Sequence, residues 1–288
     1  MVAALAPAVP PAAFRVLRGR VNTAANVSGR GPGNPSDRAD IARLRHELTI
    51  RAAELARYNA ELRHFAYAVS HDLSEPLRSI SGFAQLLAQE YSGRLDEEAD
   101  EYIAFIVDGT RRMKTLINDL LDYSRVGVHS ADRRRVQSGT VINQVLDGLA
   151  AQILETYAIV DVPARMPTVS VDRTQFSQLM QNLFANALKF RPPDGSPHIM
   201  VRAARDEGDV WHFVVSDNGI GVEPRHRERI FEMFQRLNDR ESYPGSGIGL
   251  ATCKRIIDNH GGRIWVEDSP LGGAAFHFTL PAQAPADG

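Results

Sequence analysis

Apolar residues recur at alternating three- and four-residue steps between Ile41 and Val69. This heptad spacing predicts a long coiled-coil helix that begins near Asp40. The seam positions are Ile41, Leu44, Leu48, Leu55, Leu62, Phe65 and Val69, with Arg51 and Tyr58 at the two remaining ones. After Val69 the seam moves to Leu73, Leu77, Ile80, Phe83 and Leu87. A shift of this kind predicts a change in helix-packing geometry.

A second amphipathic helix is predicted after a break at Tyr91-Ser92-Gly93. Asp96-Glu97-Glu98 places acidic side chains at its N-terminus, where they stabilise the helix dipole. Its apolar face consists of Ile103, Ile106, Met113, Leu116, Ile117, Leu120 and Tyr123. Two such helices joined by a short turn predict an antiparallel helical hairpin. Because one hairpin leaves a wide apolar face exposed, we expect a homodimer in which two hairpins close a four-helix bundle.

The pattern changes after a polar, basic stretch, which predicts a linker over residues 128–138. Helical periodicity is predicted at 141–154, 174–189 and 249–259, and strands at 199–203, 210–216, 263–267 and 275–280. Helices packed on one face of a mixed sheet give an α/β two-layer sandwich, here over residues 139–282. The expected fold class is therefore multidomain, α and α+β. The coiled coil and hairpin occupy 39–127, and tails occupy 1–38 and 283–288, the first predicted to be disordered.

Composition and charge argue against several classes of protein. The chain has 33 basic and 35 acidic residues, so a large nucleic-acid-binding surface is not expected. Cys253 is the only cysteine, which excludes an internal disulfide and fits a reducing compartment. The chain contains no run of about 18 apolar residues, so we expect no segment to insert into a membrane. The arginines follow the N-terminal apolar stretch, whereas a signal peptide has its basic residues first, so we expect a cytoplasmic protein.

The first candidate site is His71 on the coiled-coil helix. It lies two residues after a seam position and is expected to face solvent. An imidazole accepts a phosphoryl group well when a carboxylate takes the N–H of its other ring nitrogen. Asp72 or Glu75 could do this, and Glu75 is the better helical neighbour. Pro76 predicts a bend in the helix about one turn after His71. The alternative is a solvated histidine beside a helix kink.

The second candidate is a helix that carries Asn182, Asn186 and Lys189 on one face. A neutral amide oxygen near an ammonium group suits a Mg²⁺ ion that bridges phosphates, because magnesium takes few protein ligands. The alternative is an ordinary amphipathic helix with an asparagine-rich surface.

The third candidate is Asp217, directly after a predicted strand and followed by Gly219 and Gly221. A carboxylate at the end of a buried strand can accept a hydrogen bond from the adenine amino group. The glycines allow the backbone to approach the base, since no Cβ intervenes. The alternative is a simple turn, because Asn-Gly is a common turn pair.

The fourth candidate is the glycine run Gly245-Ser246-Gly247-Ile248-Gly249-Leu250, which leads into a helix. Glycines before a helix N-terminus present backbone N–H groups to phosphates. It is not a P-loop, because no Gly-Lys-Ser/Thr follows. A glycine-rich flank of a mobile loop would look the same.

A segment between the third and fourth candidates carries Phe231, Phe234 and Arg236. Two aromatic rings on a short helix could clamp a lid, and the arginine could reach a terminal phosphate. Packing of each ring into the core is the alternative.

The ordered set of motifs resembles the histidine kinase family, whose ATP-binding domain belongs to the gyrase and Hsp90 superfamily. The strings that carry the resemblance are FAYAVSHDL, SHDLSEPL, NALKFR, IFEMFQRL and YPGSGIGLA, and they are most similar to the phytochrome-like branch. The resemblance covers residues 63–281. It implies a protein that phosphorylates its own histidine from Mg-ATP and transfers the group to an aspartate on the receiver domain of a response regulator.

The resemblance also implies a role for each matching residue. His71 is the phosphoacceptor, with Asp72 rather than Glu75 as its acidic partner. Asn186 ligates Mg²⁺, Lys189 reaches a phosphate and Asp217 recognises adenine. The pocket and lid are shaped by Gly219, Gly221, Gly245, Gly247 and Gly249. We take as further cofactor-binding residues Asn182, Phe231, Phe234, Arg236 and Leu250.

Two features depart from the family pattern. Members usually carry a sensor domain before the hairpin, whereas only a tail and a coiled coil precede His71 here, so a separate sensor subunit is a candidate partner. Relatives with this hairpin use Thr or Asn four residues after the phosphoacceptor to dephosphorylate the regulator. Glu75 stands at that position and predicts weak phosphatase activity.

Two competing functions remain open at this point. A water-activating ATPase of the same superfamily needs a glutamate as general base where Asn182 stands, and an amide has no useful basicity. A non-catalytic dimeric signalling scaffold would show damage at the motif residues, and the motifs are intact.

Overall fold

The structure is a computed structural model that describes residues 35–126, 133–191, 195–206, 209–237, 243 and 245–282. The predicted tails at 1–38 and 283–288 lie outside these residues, except that 35–38 are helical. The chain divides into two compact units, residues 1–58 and 59–288. Within the described part of the chain, the helices are too short or too polar to cross a membrane.

The described elements follow the predicted order of a helical hairpin and then an α/β domain. The helices are α1 (Pro35–Tyr91), α2 (Glu97–Arg125), α3 (Ser138–Gly148), α4 (Ala150–Glu155), α5 (Arg173–Lys189) and α6 (Gly249–Asn259). Short 3-10 helices form at Pro224–His226 and Arg229–Phe231. The strands are β1 (Arg134–Gln137), β2 (Ile159–Asp161), β3 (Thr168–Val171), β4 (His198–Asp206), β5 (Val210–Asp217), β6 (Ile264–Asp268) and β7 (Ala274–Pro281).

Helices α1 and α2 are the two arms of the predicted hairpin. Helix α1 continues through Pro76 to Tyr91. Gly93 then adopts a φ of +68°, which a glycine tolerates without strain. Asp96 caps α2, because its side chain accepts a hydrogen bond from the backbone N–H of Ala99 at 2.9 Å. The start of the second helix is therefore confirmed.

The α/β domain contains a mixed five-stranded sheet in the order β2-β4-β5-β7-β6. Strand β2 is parallel to β4, and the other neighbours are antiparallel. Phe213 of β5 stacks on Phe278 of β7 with ring centroids 5.0 Å apart, and Phe176 of α5 packs edge-on against Phe213. All three rings are fully buried, so α5 is fixed on one face of the sheet. The predicted two-layer sandwich is confirmed.

Three short strands and one helix break were not predicted. The end of the expected linker forms β1, which pairs antiparallel with β3 and aligns Val136 with Val169. Strand β2 lies at the edge of the main sheet. The helix expected over 141–154 is broken at Leu149 between α3 and α4. Residues 127–132 of the linker lie outside the described residues.

A buried histidine fixes α5 relative to α6. Asp172 caps α5 by accepting hydrogen bonds from the backbone N–H groups of Thr174 and Gln175. The backbone N–H of Asp172 in turn donates to Nε2 of His260 at 3.0 Å, while His260 Nδ1 donates to the carbonyl of Ile256 at 2.7 Å. Burial lowers the pKa of His260, so its ring is neutral and holds this tautomer. The two helices that carry the asparagine and glycine motifs are thereby held together.

Candidate functional site

One cavity of about 430 Å³ brings together motifs that are far apart in the sequence. Its wall is built from α5, the end of β5, the segment after it, the glycine run and the C-terminal part of α2. The wall includes ten residues singled out from the sequence, Asn182, Asn186, Lys189, Asp217, Gly221, Arg236, Gly245, Gly247, Gly249 and Leu250. A volume of this size suits a small organic ligand.

Asp217 is held rigidly at the end of β5 and is almost completely buried. Its Oδ1 accepts hydrogen bonds from the backbone N–H groups of Gly219 at 2.8 Å and Ala274 at 3.0 Å. Burial raises the pKa of this carboxyl, and the two backbone hydrogen bonds partly offset the effect. Oδ2 has no hydrogen bond to the described residues. That oxygen is available to accept a hydrogen bond from a ligand in the cavity.

Two glycines allow the chain to pack around Asp217. A Cβ at Gly219 would lie 2.3 Å from the carbonyl oxygen of Phe190. A Cβ at Gly273 would lie 2.3 Å from Asp217 Oδ1 and 2.2 Å from the backbone nitrogen of Gly219. Gly219 therefore acts by close packing and does not itself line the cavity. Sequence reasoning missed Gly273, although the Gly272-Gly273 pair before β7 was a usable signal.

Lys189 and the glycine run meet at one side of the cavity. A Cβ at Gly245 would lie 2.7 Å from Lys189 Nζ, so the loop backbone packs directly against the ammonium group. Burial and, to a smaller extent, the charge of the nearby Arg236 together lower the pKa of Lys189 to about 8. Arg236 donates hydrogen bonds to the carbonyls of Gly245 and Tyr243, the latter at 2.9 Å. Two cations next to backbone N–H groups suit a phosphate-bearing ligand.

The two asparagines of α5 differ in their surroundings. Asn182 Nδ2 donates to the carbonyl of Gly249 at 3.2 Å, so Asn182 connects α5 to the start of α6. Its side chain also lies near the buried thiol of Cys253, whose pKa burial raises to about 12. Asn186 lines the cavity and its side chain makes no hydrogen bond to the described residues. Its amide oxygen is therefore the better candidate for a metal ligand.

The aromatic pair does not form the clamp expected from the sequence. Phe231 is buried in the hydrophobic core, whereas Phe234 is 58% exposed, and neither ring is part of the cavity wall. The expected short helix ends at Phe231, and Phe234 has a φ of +62°. The backbone N–H of Phe234 donates to the carbonyl of Gly247 at 3.0 Å. The segment instead supports the glycine run through its backbone.

The histidine motif lies on α1, away from the cavity wall. The backbone of His71 is helical, and its side chain lies outside the described part of the structure. Asp72 and Glu75 are exposed. Helix α1 contributes no described side chain to the wall.

Several wall residues were missed by sequence reasoning. Phe190 packs on Tyr243 with ring centroids 5.1 Å apart, and both line the cavity. Thr115, Asp119 and Asp122 of α2 also line it. No motif marks the three α2 residues, because the sequence pattern of that helix identifies only its apolar face.

Two family models match the chain, one over the hairpin region and one over the α/β domain. The family model described as "Histidine kinase-, DNA gyrase B-, and HSP90-like ATPase" matches residues 171–284, which include the whole glycine run and Asp217. The family model described as "His Kinase A (phospho-acceptor) domain" matches residues 61–127, which include the C-terminal part of α1 and all of α2. The first match implies that the cavity binds ATP.

Individual relatives agree with both matches. The chain is 45% identical over 241 residues to the phytochrome-like protein Cph1 of Synechocystis sp., covering 84% of this chain and 32% of that protein. It is 31% identical over 265 residues to the adaptive-response sensory kinase SasA of Synechococcus sp., covering 88% of this chain and 69% of that protein. The crystal structure of full-length ShkA in complex with AMPPNP is similar with a TM-score of 0.59 and 28% identity, covering 77% of this chain and 47% of that one. The chain spans about a third of the length of Cph1. Since both family models match in order and the SasA match covers most of both proteins, the chain belongs to the histidine kinase family of two-component signalling proteins.

Proposed function

We propose that this chain transfers the γ-phosphoryl group of ATP to His71 and then to an aspartate of a response regulator. The cavity around Asp217 carries the proposal. It offers a free carboxylate oxygen at one part of its wall, and Lys189 with the glycine run at another. The same chain bears a histidine next to an acid on a helical hairpin. This combination is what a kinase that phosphorylates its own histidine requires.

The binding step follows from the polarity of the wall. Asp217 Oδ2 accepts the adenine amino N–H, and Gly221 and Leu250 lie on the same cavity wall. Lys189 and the N–H groups of the glycine run stabilise the phosphates, because they place positive charge and hydrogen-bond donors together. Asn186 supplies an amide oxygen for Mg²⁺, which would neutralise charge on the phosphates.

The chemical step takes place at the ring of His71. One ring nitrogen forms a bond to the γ-phosphorus while the bond from that phosphorus to the β,γ-bridging oxygen breaks and ADP leaves. Asp72 accepts the N–H of the other ring nitrogen, which stabilises the positive charge that develops on the ring. The phosphoryl group then passes to the carboxylate of the regulator, which restores the neutral imidazole.

The surroundings of Asn182 argue against the water-activating ATPase. Its amide donates a hydrogen bond to the carbonyl of Gly249, and it cannot take a proton from water. The scaffold is also disfavoured, because the cavity is open and its cations and carboxylate are in place.

The experiment that tests the proposed function is incubation of the purified chain with γ-labelled ATP and Mg²⁺. The kinase incorporates label in an acid-labile, alkali-stable bond. An ATPase releases labelled phosphate without labelling the protein. A scaffold does neither. Either of the last two results contradicts the proposal.

Asp217→Asn should weaken ATP binding roughly ten- to a hundredfold, the range expected for loss of a hydrogen bond to a charged group. Asparagine Oδ1 can still accept from Gly219 and Ala274, so the fold should survive. Its Nδ2 replaces the free oxygen and donates, which clashes with the adenine amino group. Isothermal titration calorimetry measures the affinity, and thermal unfolding checks the fold.

A matched control for that variant is Asp161→Asn. Asp161 lies on edge strand β2, pairs with His198 at 2.8 Å and is outside the cavity wall. Its loss should leave ATP affinity unchanged. Equal affinities of Asp217→Asn and Asp161→Asn would show that adenine is not recognised at Asp217.

We also propose that the chain is a homodimer through its hairpin. Both arms expose large apolar side chains that a solvated monomer would leave in water, including Phe83 at 69% and Ile106 at 47%. Leu73, Ile80 and Leu87 on the predicted seam are also exposed. A patch of this size on two adjacent helices is best covered by a second hairpin.

Phe83→Glu combined with Ile106→Glu should weaken the dimer roughly a hundredfold or more, because burying unpaired charges costs several kcal/mol. Light scattering over a concentration series measures the dissociation constant. Leu154→Glu is the control, since Leu154 is 74% exposed but lies on α4, outside the hairpin. A wild-type protein that is monomeric at micromolar concentration contradicts the dimer.

A further inference from the structure

One face of hairpin helix α2 forms part of the cavity wall. Thr115, Asp119 and Asp122 line the same cavity as Lys189 and Asp217. They are spaced by four and three residues, so they project from one side of the helix. Two carboxylates therefore lie in a cavity whose other wall residues suit a polyanion.

Two contacts fix the end of α2 on the α/β domain. The guanidinium carbon of Arg255 on α6 lies 4.5 Å from the ring centroid of Tyr123. Val126, which directly follows α2, is buried in the hydrophobic core of the α/β domain. The position of the α2 carboxylates is thus determined by docking of α2 onto α6 and its neighbours.

Asp119 reaches the glycine run itself. Asp119 and Ser246 line the same cavity, and Ser246 lies close enough to the Asp119 carboxylate to lower its pKa. The Ser246 hydroxyl accepts a hydrogen bond from the backbone N–H of Ile248 at 3.2 Å. Ser246 lies next to Gly245, the residue that packs against the ammonium group of Lys189. Burial and the neighbouring Asp122 both raise the pKa of Asp119. A carboxylate thus shares the cavity wall with the loop that is proposed to bind phosphate.

We propose that Asp119 competes with the nucleotide phosphates for the glycine run, so that ATP binding and docking of α2 on the α/β domain oppose each other. This inference rests on the proposed function, because it requires ATP in this cavity. A bound triphosphate brings further negative charge toward Asp119 and Asp122, and the repulsion favours undocking of α2. By thermodynamic reciprocity, undocking of α2 must raise ATP affinity by the same factor. The hairpin position and the nucleotide site are then linked through one side chain.

The test is the ATP affinity of Asp119→Asn in the full chain, measured by calorimetry at fixed salt concentration. The variant keeps the size of the side chain and removes its charge. We expect ATP to bind roughly fivefold more tightly or better, the lower end of common coupling factors. The gain should be smaller for ADP and absent for adenosine, since it depends on phosphate charge.

Arg255→Gln tests docking separately from local charge. The substitution removes a positive charge, which by simple electrostatics weakens the binding of an anion. It also removes the contact with Tyr123 that holds α2, so the proposal expects tighter ATP binding instead. Tighter ATP binding by the variant would therefore indicate undocking of α2, and weaker ATP binding would indicate the loss of positive charge.

Glu101→Gln is the charge-matched control. Glu101 is an exposed acid on α2, about 27 Å along the helix from Asp119, and is not part of the cavity wall. It should bind ATP as the wild type does. Equal ATP affinity of the wild type and Asp119→Asn, or weaker binding by Arg255→Gln, contradicts the inference alone. Failure of every protein to bind ATP contradicts the proposed function and the inference with it.

Discussion

His71→Gln protein is expected to bind ATP as tightly as the wild type and to incorporate no phosphate. Glutamine is well tolerated in a helix, but its amide nitrogen cannot act as a nucleophile. Helix α1 contributes no described side chain to the cavity, so binding and phosphorylation should separate cleanly. Calorimetry measures the first property and γ-labelled ATP the second.

His64→Gln is the matched control for this variant. His64 lies one heptad before His71 on the same helix and has neither an acid directly after it nor a proline nearby. It should retain full labelling. Label on His71→Gln protein would show that the phosphoacceptor lies elsewhere, whereas loss of label in both variants would indicate damage to the hairpin.

Local signals explain why the helices could be predicted from the sequence. The start of α2 is determined by the Asp96 side chain, which accepts a hydrogen bond from a backbone N–H three residues later. The turn before it depends on Gly93, which adopts a positive φ. Both interactions involve neighbours in the chain, so sequence spacing is sufficient to identify them.

Strand β1 could not be predicted for the opposite reason. Strand β1 is four residues long, and three of them are Arg134, Arg135 and Gln137, which have no strong strand preference. Only Val136 is buried. Its pairing with Val169 joins segments separated by two helices and β2. The strand therefore forms because of a long-range partner, which the local pattern does not contain.

The residues of the candidate site also fall into two groups, those that the sequence identified and those that only tertiary packing reveals. Asp217, Lys189 and the glycine run carry residue types that suggest ligand chemistry, and the structure brings them to one cavity. Gly273 matters only because β7 passes against Asp217, and Asp119 matters only because α2 docks beside the glycine run. Both roles arise from tertiary packing.

Weak phosphatase activity toward the phosphorylated regulator is the expected consequence of Glu75. The family resemblance implies Thr or Asn four residues after the phosphoacceptor, where a small neutral group would orient water for attack on the aspartyl phosphate. Glu75 is exposed on α1, so its carboxylate can approach the same anionic phosphoryl group. Repulsion within a few ångströms should slow hydrolysis roughly ten- to a thousandfold relative to a neutral side chain.

The measurement is the decay of phosphorylated regulator with ADP and His71→Gln protein, compared with regulator alone, because the missing histidine prevents back-transfer. We expect little acceleration. Adding Glu75→Thr to the same background should speed the decay, since the threonine hydroxyl can orient water without bringing a charge. The opposite arrangement, in which Glu75 itself acts as a base for water, predicts fast decay that Glu75→Ala abolishes, and that result would contradict the prediction. Slow decay would instead mean that a kinase with Glu75 depends mainly on hydrolysis by the regulator itself to end its signal, because its own hairpin repels the phosphoryl group that it has transferred.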